Sequence, residues 1–360
     1  GDPRVTVEIG TTKQIKATLN NKFNLITDVI DTKNITYTSL DDSIATVNES
    51  GIITAKEVGK VEIIAKHTIT GKTSTIFVNV VPTNKQAVPD IKISSTHMAS
   101  LKADGTVWTW GDNTYGQLGT EDNIIKTIPT KVIALENVIA ITTGEYDTVA
   151  LKNDGTVWAF GNNSYGQLGN GNSNSSNVPV QVIKQNGKPL TNIVKIASKD
   201  YRTIALDGEG KVWIWGQSYG STARKLDNIY DVIDISANYA VKQDGTVQNI
   251  RTLEQLKLEN ILKVSEGTNH TVFLTRDGKG YSLGTNTKGQ LGNGTKTNSD
   301  VPTQILSTDG ESELTGIKQL TAGNEFTMAL LDDNKTYVWG TNDNYKLANS
   351  QETNQVIPVV

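Results

Sequence analysis

Few residues in this sequence could do chemistry, and each sits in a pattern that accounts for it. Gly216-Gln217-Ser218-Tyr219-Gly220 fits G-x-S-x-G, the spacing of a hydrolase nucleophile. That chemistry needs a strand, a sharp turn and then a helix, with histidine and acid partners. The pentad instead aligns with Gly161–Gly166 (GNNSYG) and Gly111–Gly116 (GDNTYG) less one residue, so it reads as a shortened loop with no helix after it. The chain has three histidines. His97 and His270 each lie four residues before a strand-ending leucine, Leu101 and Leu274, at a place where other copies carry Asp147, Arg202 and Phe326. A general base or metal pair has no reason to follow a repeat, and His67 stands alone. Asp104, Asp154, Asp244 and Asp277 each precede a turn glycine, where Asp is chosen for local hydrogen bonding. Acid catalysis by a carboxyl pair needs the two groups about 5–10 Å apart, and nothing here places two together. Gly169–Asn177 is a polar loop without acidic ligands at alternate positions. With no cysteine, disulfides and thiol chemistry are excluded. The sequence therefore predicts no catalytic residue, no metal site and no cofactor.

Binding chemistry has better candidates. Tyr146, Tyr201, Tyr239 and Phe326 fall just before a strand of the repeat, among Glu145, Asp147, Lys199, Asp200, Arg202, Asn269 and Glu325. Tyr and Arg amid mixed charge is the composition that protein interfaces favour. The predicted binding residues are Tyr146, Asp147, Tyr201, Arg202, Tyr239, Glu325 and Phe326. Tyr115, Tyr165, Tyr219 and Tyr345 recur within a loop motif and read as structural. Trp108 with Trp110, and Trp213 with Trp215, could stack on sugars. Their strand alternation assigns them to a core between repeats instead, with Trp108, Trp158, Trp213 and Trp339 expected at equivalent buried positions.

The elements that must position these residues repeat. LKADGTVWTWGDNTYGQLG at 101–119 returns as LKNDGTVWAFGNNSYGQLG at 151–169 and, more weakly, four more times. The turns are Asp104-Gly105, Asp154-Gly155, Glu209-Gly210, Asp244-Gly245, Asp277-Gly278 and Asp333-Asn334, spaced by 50, 55, 35, 33 and 56 residues. Asp-Gly is a hairpin turn because Gly adopts φ > 0 without a steric penalty. The strand after it alternates, so one copy cannot bury its aromatic face alone and stacked neighbours must do so. The period fits one four-stranded blade per copy. Gly-Gln-Leu-Gly closes the loop in the first, second and fifth copies and decays to Tyr345-Lys346-Leu347-Ala348 in the sixth. Ile128-Pro129, Val178-Pro179, Val301-Pro302 and Ile357-Pro358 each open a short apolar strand, where a missing N–H is tolerated.

DGTVWAFG with GNNSYGQLGNG resembles the regulator of chromosome condensation repeat, over roughly 90–360. The resemblance implies a β-propeller, usually of seven blades in that family. Six copies are found here, so six blades are expected and seven remain possible. Closure is expected to pair the strand at Ile91 with the one at Val359. The insertions with Asn186-Gly187 and Asp309-Gly310 read as hairpin extensions. The family includes a nuclear exchange factor, interaction modules and propellers that inhibit β-lactamases, so it implies a fold and not one function.

Residues 4–81 contain no such unit and no Trp. They read as short strands at Val5–Ile9, Gln14–Ala17, Ile35–Ser39, Ile44–Val47, Ile52–Ala55, Val61–Ala65 and Thr75–Val81 with turns between, the pattern of a β-sandwich. Ser43–Val47, Gly51, Thr54-Ala55 and Gly59 make this stretch similar to the bacterial Ig-like group 2 domain, with Tyr37 where that family usually has Trp. The resemblance implies a stalk or adhesion spacer on a bacterial surface protein. Pro82–Pro89 reads as a stiff linker. The division is 1–83, an Ig-like sandwich, and 84–360, the propeller.

Residues 1–83 carry nine basic and nine acidic residues, so the net charge of −4 falls on the repeats. An acidic domain without a basic cluster argues against nucleic acid. No apolar run approaches 18 residues, so no membrane insertion is expected. Gly1-Asp2-Pro3 opens straight into a strand pattern, and the sequence reads as a mature fragment without a signal peptide. The expected protein is all-β, monomeric and not an enzyme. It is expected to be a secreted or surface-bound bacterial module whose loops recognise a protein or a glycan. A polysaccharide-acting enzyme and an inhibitor of a secreted enzyme are the alternatives.

Overall fold

The computed structural model describes residues 4–8, 12–15, 34–56, 59–81, 87–345, 347–348 and 353–360. Their regular structure is almost entirely β-strand, and the chain divides into two units, Gly1–Ala87 and Val88–Val360. The linker residues 82–86, and Lys16-Ala17 of the second expected strand, lie outside the described residues.

Among the described residues, the first unit holds two sheets. One orders Arg4–Glu8, Thr73–Val81, Gly59–His67 and Ile35–Ser39, with the first pair parallel and the others antiparallel. The other orders Thr12–Gln14, Ile52–Ala55 and Ala45–Val47. Their inner residues, among them Val7, Ala45, Ile53, Ile63 and Val78, form one core. Tyr37 packs at its edge. Gly51 has a φ of +77°, and a Cβ there would stand 3.1 Å from the Tyr37 ring and 2.7 Å from the Ile15 carbonyl oxygen, so the turn needs glycine.

Among the described residues, the second unit is a succession of six antiparallel sheets, one per repeat. The first sheet is Asp90–Ile93, His97–Leu101, Val107–Gly111 and Lys126–Lys131. The second is Val138–Thr143, Asp147–Lys152, Val157–Gly161 and Ser176–Gln181. The third is Ile193–Lys199, Arg202–Asp207, Val212–Gly216 and Gly220–Lys225. The fourth has three strands, Val232–Ile235, Tyr239–Lys242 and Val247–Asn249. The fifth is Ile261–Glu266, His270–Thr275, Gly280–Gly284 and Ser299–Gln304, and the sixth Ile317–Ala322, Phe326–Leu331, Thr336–Gly340 and Gln355–Val359. Each four-stranded sheet is a meander whose strands pair in sequence order, as in a propeller blade. The two insertions are small hairpins, bridged at Ile183–Pro189 and Leu306–Glu313.

The turn chemistry is as the sequence suggests. Asp104, Asp154 and Asp244 each accept through Oδ1 from the backbone N–H and hydroxyl of the Thr two residues on. The loop motif is also self-satisfied. Asn113, Asn163, Asn286 and Asn342 accept from the N–H of Leu118, Leu168, Leu291 and Leu347 at 2.8–3.0 Å.

Neighbouring sheets share cores. Val149, Leu151 and Leu168 of the second repeat pack with Ile196 and Trp215 of the third. Ile204 and Leu206 pack with Ile235, Val241 with Val264, and Leu274 with Ile317 and Trp339. Pairing across sheets corrects two expectations. The strand at Ile91 pairs with His97–Leu101 and the one at Val359 with Thr336–Gly340, so the chain ends complete their own sheets and not one shared sheet. Each repeat therefore already contains its own innermost strand. Trp108, Trp158 and Trp213 share a half-buried position, opposite Ser100, Ala150 and Ala205. Trp339 instead pairs with Thr327 as Phe160 does with Thr148 and Trp215 with Thr203, and these three aromatics are fully buried.

Candidate functional site

The rim loops that precede the second strand of the first three sheets are tied from sheet to sheet. Thr96 donates through Oγ1 to the Glu145 carbonyl at 2.6 Å, and the Glu145 N–H donates to the Asp200 carbonyl at 3.1 Å. This carries Tyr146 and Tyr201 side by side, with ring centroids 6.5 Å apart and planes 13° from parallel. Tyr115 meets Tyr146 edge-on at 5.3 Å, and Tyr165 meets Tyr201 at 4.9 Å. Four tyrosines from the first three repeats thus form one continuous cluster. Tyr115 and Tyr165 are 40% and 50% exposed. The Tyr201 hydroxyl donates to the Glu145 carboxylate, which pushes its pKa up to about 12. The Tyr201 phenol is therefore a neutral donor at physiological pH, and the cluster offers flat apolar area with hydroxyls at its edge. Such surface costs little side-chain entropy to fix on binding.

The structure separates the other expected binding residues from this cluster. Asp147 is buried under the rim, 1% exposed, with Oδ1 lacking a hydrogen-bond partner, and burial raises its pKa well above the usual carboxylate value. Arg202 turns towards the fourth repeat, where Nη2 donates to Asn238 Oδ1 and to the Ala237 carbonyl. Asn238 in turn donates to Glu266, which also receives Lys199 Nζ at 2.8 Å and Ser236 Oγ at 3.0 Å. This polar knot joins the third, fourth and fifth sheets. Tyr239 opens its strand, opposite Asn249, and is half-buried with its ring edge-on to Phe273 at 5.5 Å. Glu325 and Phe326 sit on the sixth repeat, Phe326 as the first residue of its strand. The loop motif makes Tyr115 and Tyr165 structural through their backbone, where each N–H donates to the Oε1 of the Gln two residues on. That bond leaves the ring free to face outward.

A second feature escapes a reading by motif. Where the third repeat lacks the Gly-Gln-Leu-Gly loop and the fourth lacks an outer strand, a groove of about 1040 Å³ opens. Trp213 and Tyr219 line it with Lys184, Arg224 and Arg251. The Trp213 indole N–H is held by Asp207 at 3.0 Å. The signal was present as scattered basic residues on three separate segments, which no linear pattern joins. Among the described residues, no group of three or more His, Asp or Glu side chains is placed to hold a metal ion.

A family model for the RCC1-like domain matches residues 57–360, and one for the bacterial Ig-like domain (group 2) matches residues 2–78. The chain belongs to the RCC1-like domain family. Among RCC1-like relatives, it is 28% identical to human E3 ubiquitin-protein ligase HERC2 over 257 residues, which are 71% of this chain and 4% of that protein. It is 25% identical to Protein pim1 of Schizosaccharomyces pombe over 292 residues, covering 74% of this chain and 50% of pim1. It is 26% identical to the ultraviolet-B receptor UVR8 of Arabidopsis thaliana over 276 residues, covering 76% of this chain and 57% of UVR8. The chain thus spans little more than half of these relatives at most. Two solved structures of yeast Prp20 superpose, one in complex with Kap60, with TM-scores of 0.60 and 0.58 at 18% and 17% identity. The first covers 75% of this chain and 74% of that chain, the second 91% and 85%. At that identity the likeness establishes the fold. RCC1-like propellers mediate protein interactions and are in general binding or regulatory modules rather than catalysts.

Proposed function

We propose that this protein is a non-catalytic binding module, secreted or displayed on a bacterial surface, with the Ig-like unit as stalk and the propeller as the recognition element. The observation that carries this is the tyrosine cluster of Tyr115, Tyr146, Tyr165 and Tyr201. A propeller without a partner gains nothing from four adjoining tyrosines on a rim, whereas interfaces concentrate their binding energy in such residues. The bacterial Ig-like match supports the surface location. The partner is a protein with a complementary apolar patch that accepts phenolic hydroxyls.

The 360-residue chain, immobilised, is expected to retain a protein from bacterial surface or secreted fractions. Tyr146→Ala with Tyr201→Ala should weaken that interaction by about 100-fold or more, with the thermal midpoint little changed. Full affinity in this variant would remove the cluster from recognition. Loss of binding instead on Arg224→Glu with Arg251→Glu, together with steep salt dependence, would assign recognition to the groove and an acidic segment.

A further inference from the structure

The repeats carry the net charge of −4, yet the groove at the third and fourth of them is basic. Lys184, Lys211, Arg224, Lys225 and Arg251 line it, against the single carboxylate of Asp227. Lys211 is paired with Glu209, and Lys225 with Asp227 at 2.6 Å. Lys184, Arg224 and Arg251 have no carboxylate partner among the described residues. Unpaired cations that share one concave surface reinforce each other's potential and draw anions into it.

The groove exists because two pieces of the repeat are missing together. In the first, second and fifth repeats a loop glycine presses on the outer strand of the next sheet. A Cβ on Gly116 would lie 2.5 Å from Asn177 Cα, one on Gly166 2.6 Å from Ser221 Cα, and one on Gly289 2.6 Å from the Gln355 carbonyl oxygen. The third repeat has no such loop and the fourth no outer strand, so Trp213 and Tyr219 line an opening. Trp213 also lacks a cover that its counterparts have. Lys102 Nζ sits 3.8 Å from the centre of the Trp108 ring, and Lys152 Nζ 5.7 Å from that of Trp158. The third repeat has Asp207 at that position, and it accepts the indole N–H instead. The unpaired cations come from three repeats on backbone that is already fixed. Lys184 is bridged to Ala223, Arg224 stands opposite Ile214, and Asn249 Oδ1 accepts from the Arg251 N–H at 2.9 Å. A site built this way needs little ordering on binding.

We propose that this groove is a second binding site, for a segment of an acidic polysaccharide whose rings carry carboxylates. Its volume of about 1040 Å³ stands at the top of the roughly 300–1,000 Å³ that small-molecule sites span, room for a short length of polymer. Arg224 and Arg251 each take a carboxylate in a bidentate pair, and Trp213 with Tyr219 lies against the apolar faces of the rings. Gln185 and Asn228, also in the lining, supply amides for the hydroxyls. An acidic peptide fits less well, because neither adjoining strand offers it an open edge. The outer strand of the third sheet is bonded on one side to Val212–Gly216. On its other side the Gly171 N–H donates to the Ser221 carbonyl, and the Ala223 N–H to the Ile183 carbonyl. In the fourth repeat the Asn249 N–H donates to the Glu254 carbonyl and the Leu256 N–H to the Val247 carbonyl, which closes the last strand. A peptide would forgo the main-chain bonds that give an added strand its affinity, whereas a sugar is held by side chains. The site uses none of the clustered rim tyrosines, so it stands or falls apart from the protein-binding reading.

The test measures binding of polygalacturonate and of alginate, two polymers of uronic acids, to the 360-residue chain at physiological ionic strength. At least one of them should bind saturably and shift the tryptophan emission, with the shift lost in Trp213→Phe. Arg224→Ala with Arg251→Ala should weaken that binding by about tenfold or more, with the thermal midpoint unchanged. This variant decides the case alone if Trp213→Phe does not fold. Neutral amylose should not bind. Poly-glutamate of matched charge, which has no ring to stack, should bind about tenfold more weakly than the uronate. Tyr146→Ala with Tyr201→Ala should leave uronate affinity unchanged, which separates this site from the rim. Absence of saturable binding to both uronate polymers would overturn the proposal, as would full affinity in the arginine variant. Poly-glutamate bound as tightly as the uronates would make the occupant an acidic peptide. Association that leaves the emission unchanged and fades with salt equally for every polyanion would reduce the groove to a basic surface without a ring site.

Discussion

His97 and His270 are neutral fasteners, each joined through Nε2 to a Thr of the next sheet, Thr148 or Thr327. Because each partner Thr hydroxyl is spent on a Gln carbonyl, the imidazole must donate from Nε2, which fixes the tautomer. Burial dominates their titration and lowers both pKa values from the ordinary 6.5 to about 4. The unfolded chain binds these protons near pH 6.5 and the folded one only near pH 4. Folding stability is therefore complete above about pH 6.5 and drains as pH falls towards 4, by up to about 3 kcal/mol for each histidine. His97→Gln with His270→Gln should flatten the fall of the thermal midpoint between pH 7 and 4.5, since Gln keeps an N–H donor and does not titrate. A double variant with the same pH slope as the parent would show that the two imidazoles are not shielded. Their shared repeat position was legible in the sequence. Their hydrogen-bond partners were not, because the Thr that each one meets lies in the next repeat.

At the scale of elements, the turn motif was the most legible part of the chain, since Asp-Gly-Thr satisfies its own backbone and needs no neighbour. Register was less legible. Trp339 was aligned with Trp158 by residue type, but the strand is anchored by its terminal glycine, Gly340 matching Gly161, which shifts Trp339 onto Phe160. Tyr239 was placed on the rim because its strand looks like the others. In the shortened fourth repeat the carbonyl that matches those of Tyr146 and Tyr201 belongs to Asn238, and Tyr239 follows it half-buried, edge-on to Phe273. The loop glycines have a role visible only once sheets are stacked. Gly292 has a φ of +67°, and a Cβ on it would lie 2.5 Å from Trp339 Nε1. Gly294, also in the left-handed region at +77°, would place its Cβ no nearer than 3.5 Å, against Leu306. Gly292→Ala is expected to cost about 2–4 kcal/mol, combining left-handed strain with overpacking against the indole. Gly294→Ala should cost only the strain, about 1–2 kcal/mol. Chemical denaturation of the two variants measures the difference, and equal costs would mean that the loop does not press on Trp339.

At the scale of the molecule, the two cores are built from different residues and report differently. The first unit buries Val7, Ile53, Ile63 and Val78 around a single edge tyrosine, and has no tryptophan. All six tryptophans lie beyond residue 107, in the sheets of the second unit. Intrinsic tryptophan emission therefore follows only the propeller, while far-ultraviolet circular dichroism follows strands in both units. Because each unit encloses its own apolar cluster, neither core needs the other to be complete. Residues 88–360 expressed alone should then give the same tryptophan-detected denaturation midpoint as the whole chain. The dichroism of the whole chain should show an additional change that the shorter chain lacks. Limited proteolysis of the whole chain should cut first between residues 82 and 89, where the sequence changes from tryptophan-free strands to the repeats. A tryptophan midpoint that falls on removing residues 1–87 would show that the sandwich supports the propeller. The stalk would then belong to the recognition element instead of merely carrying it.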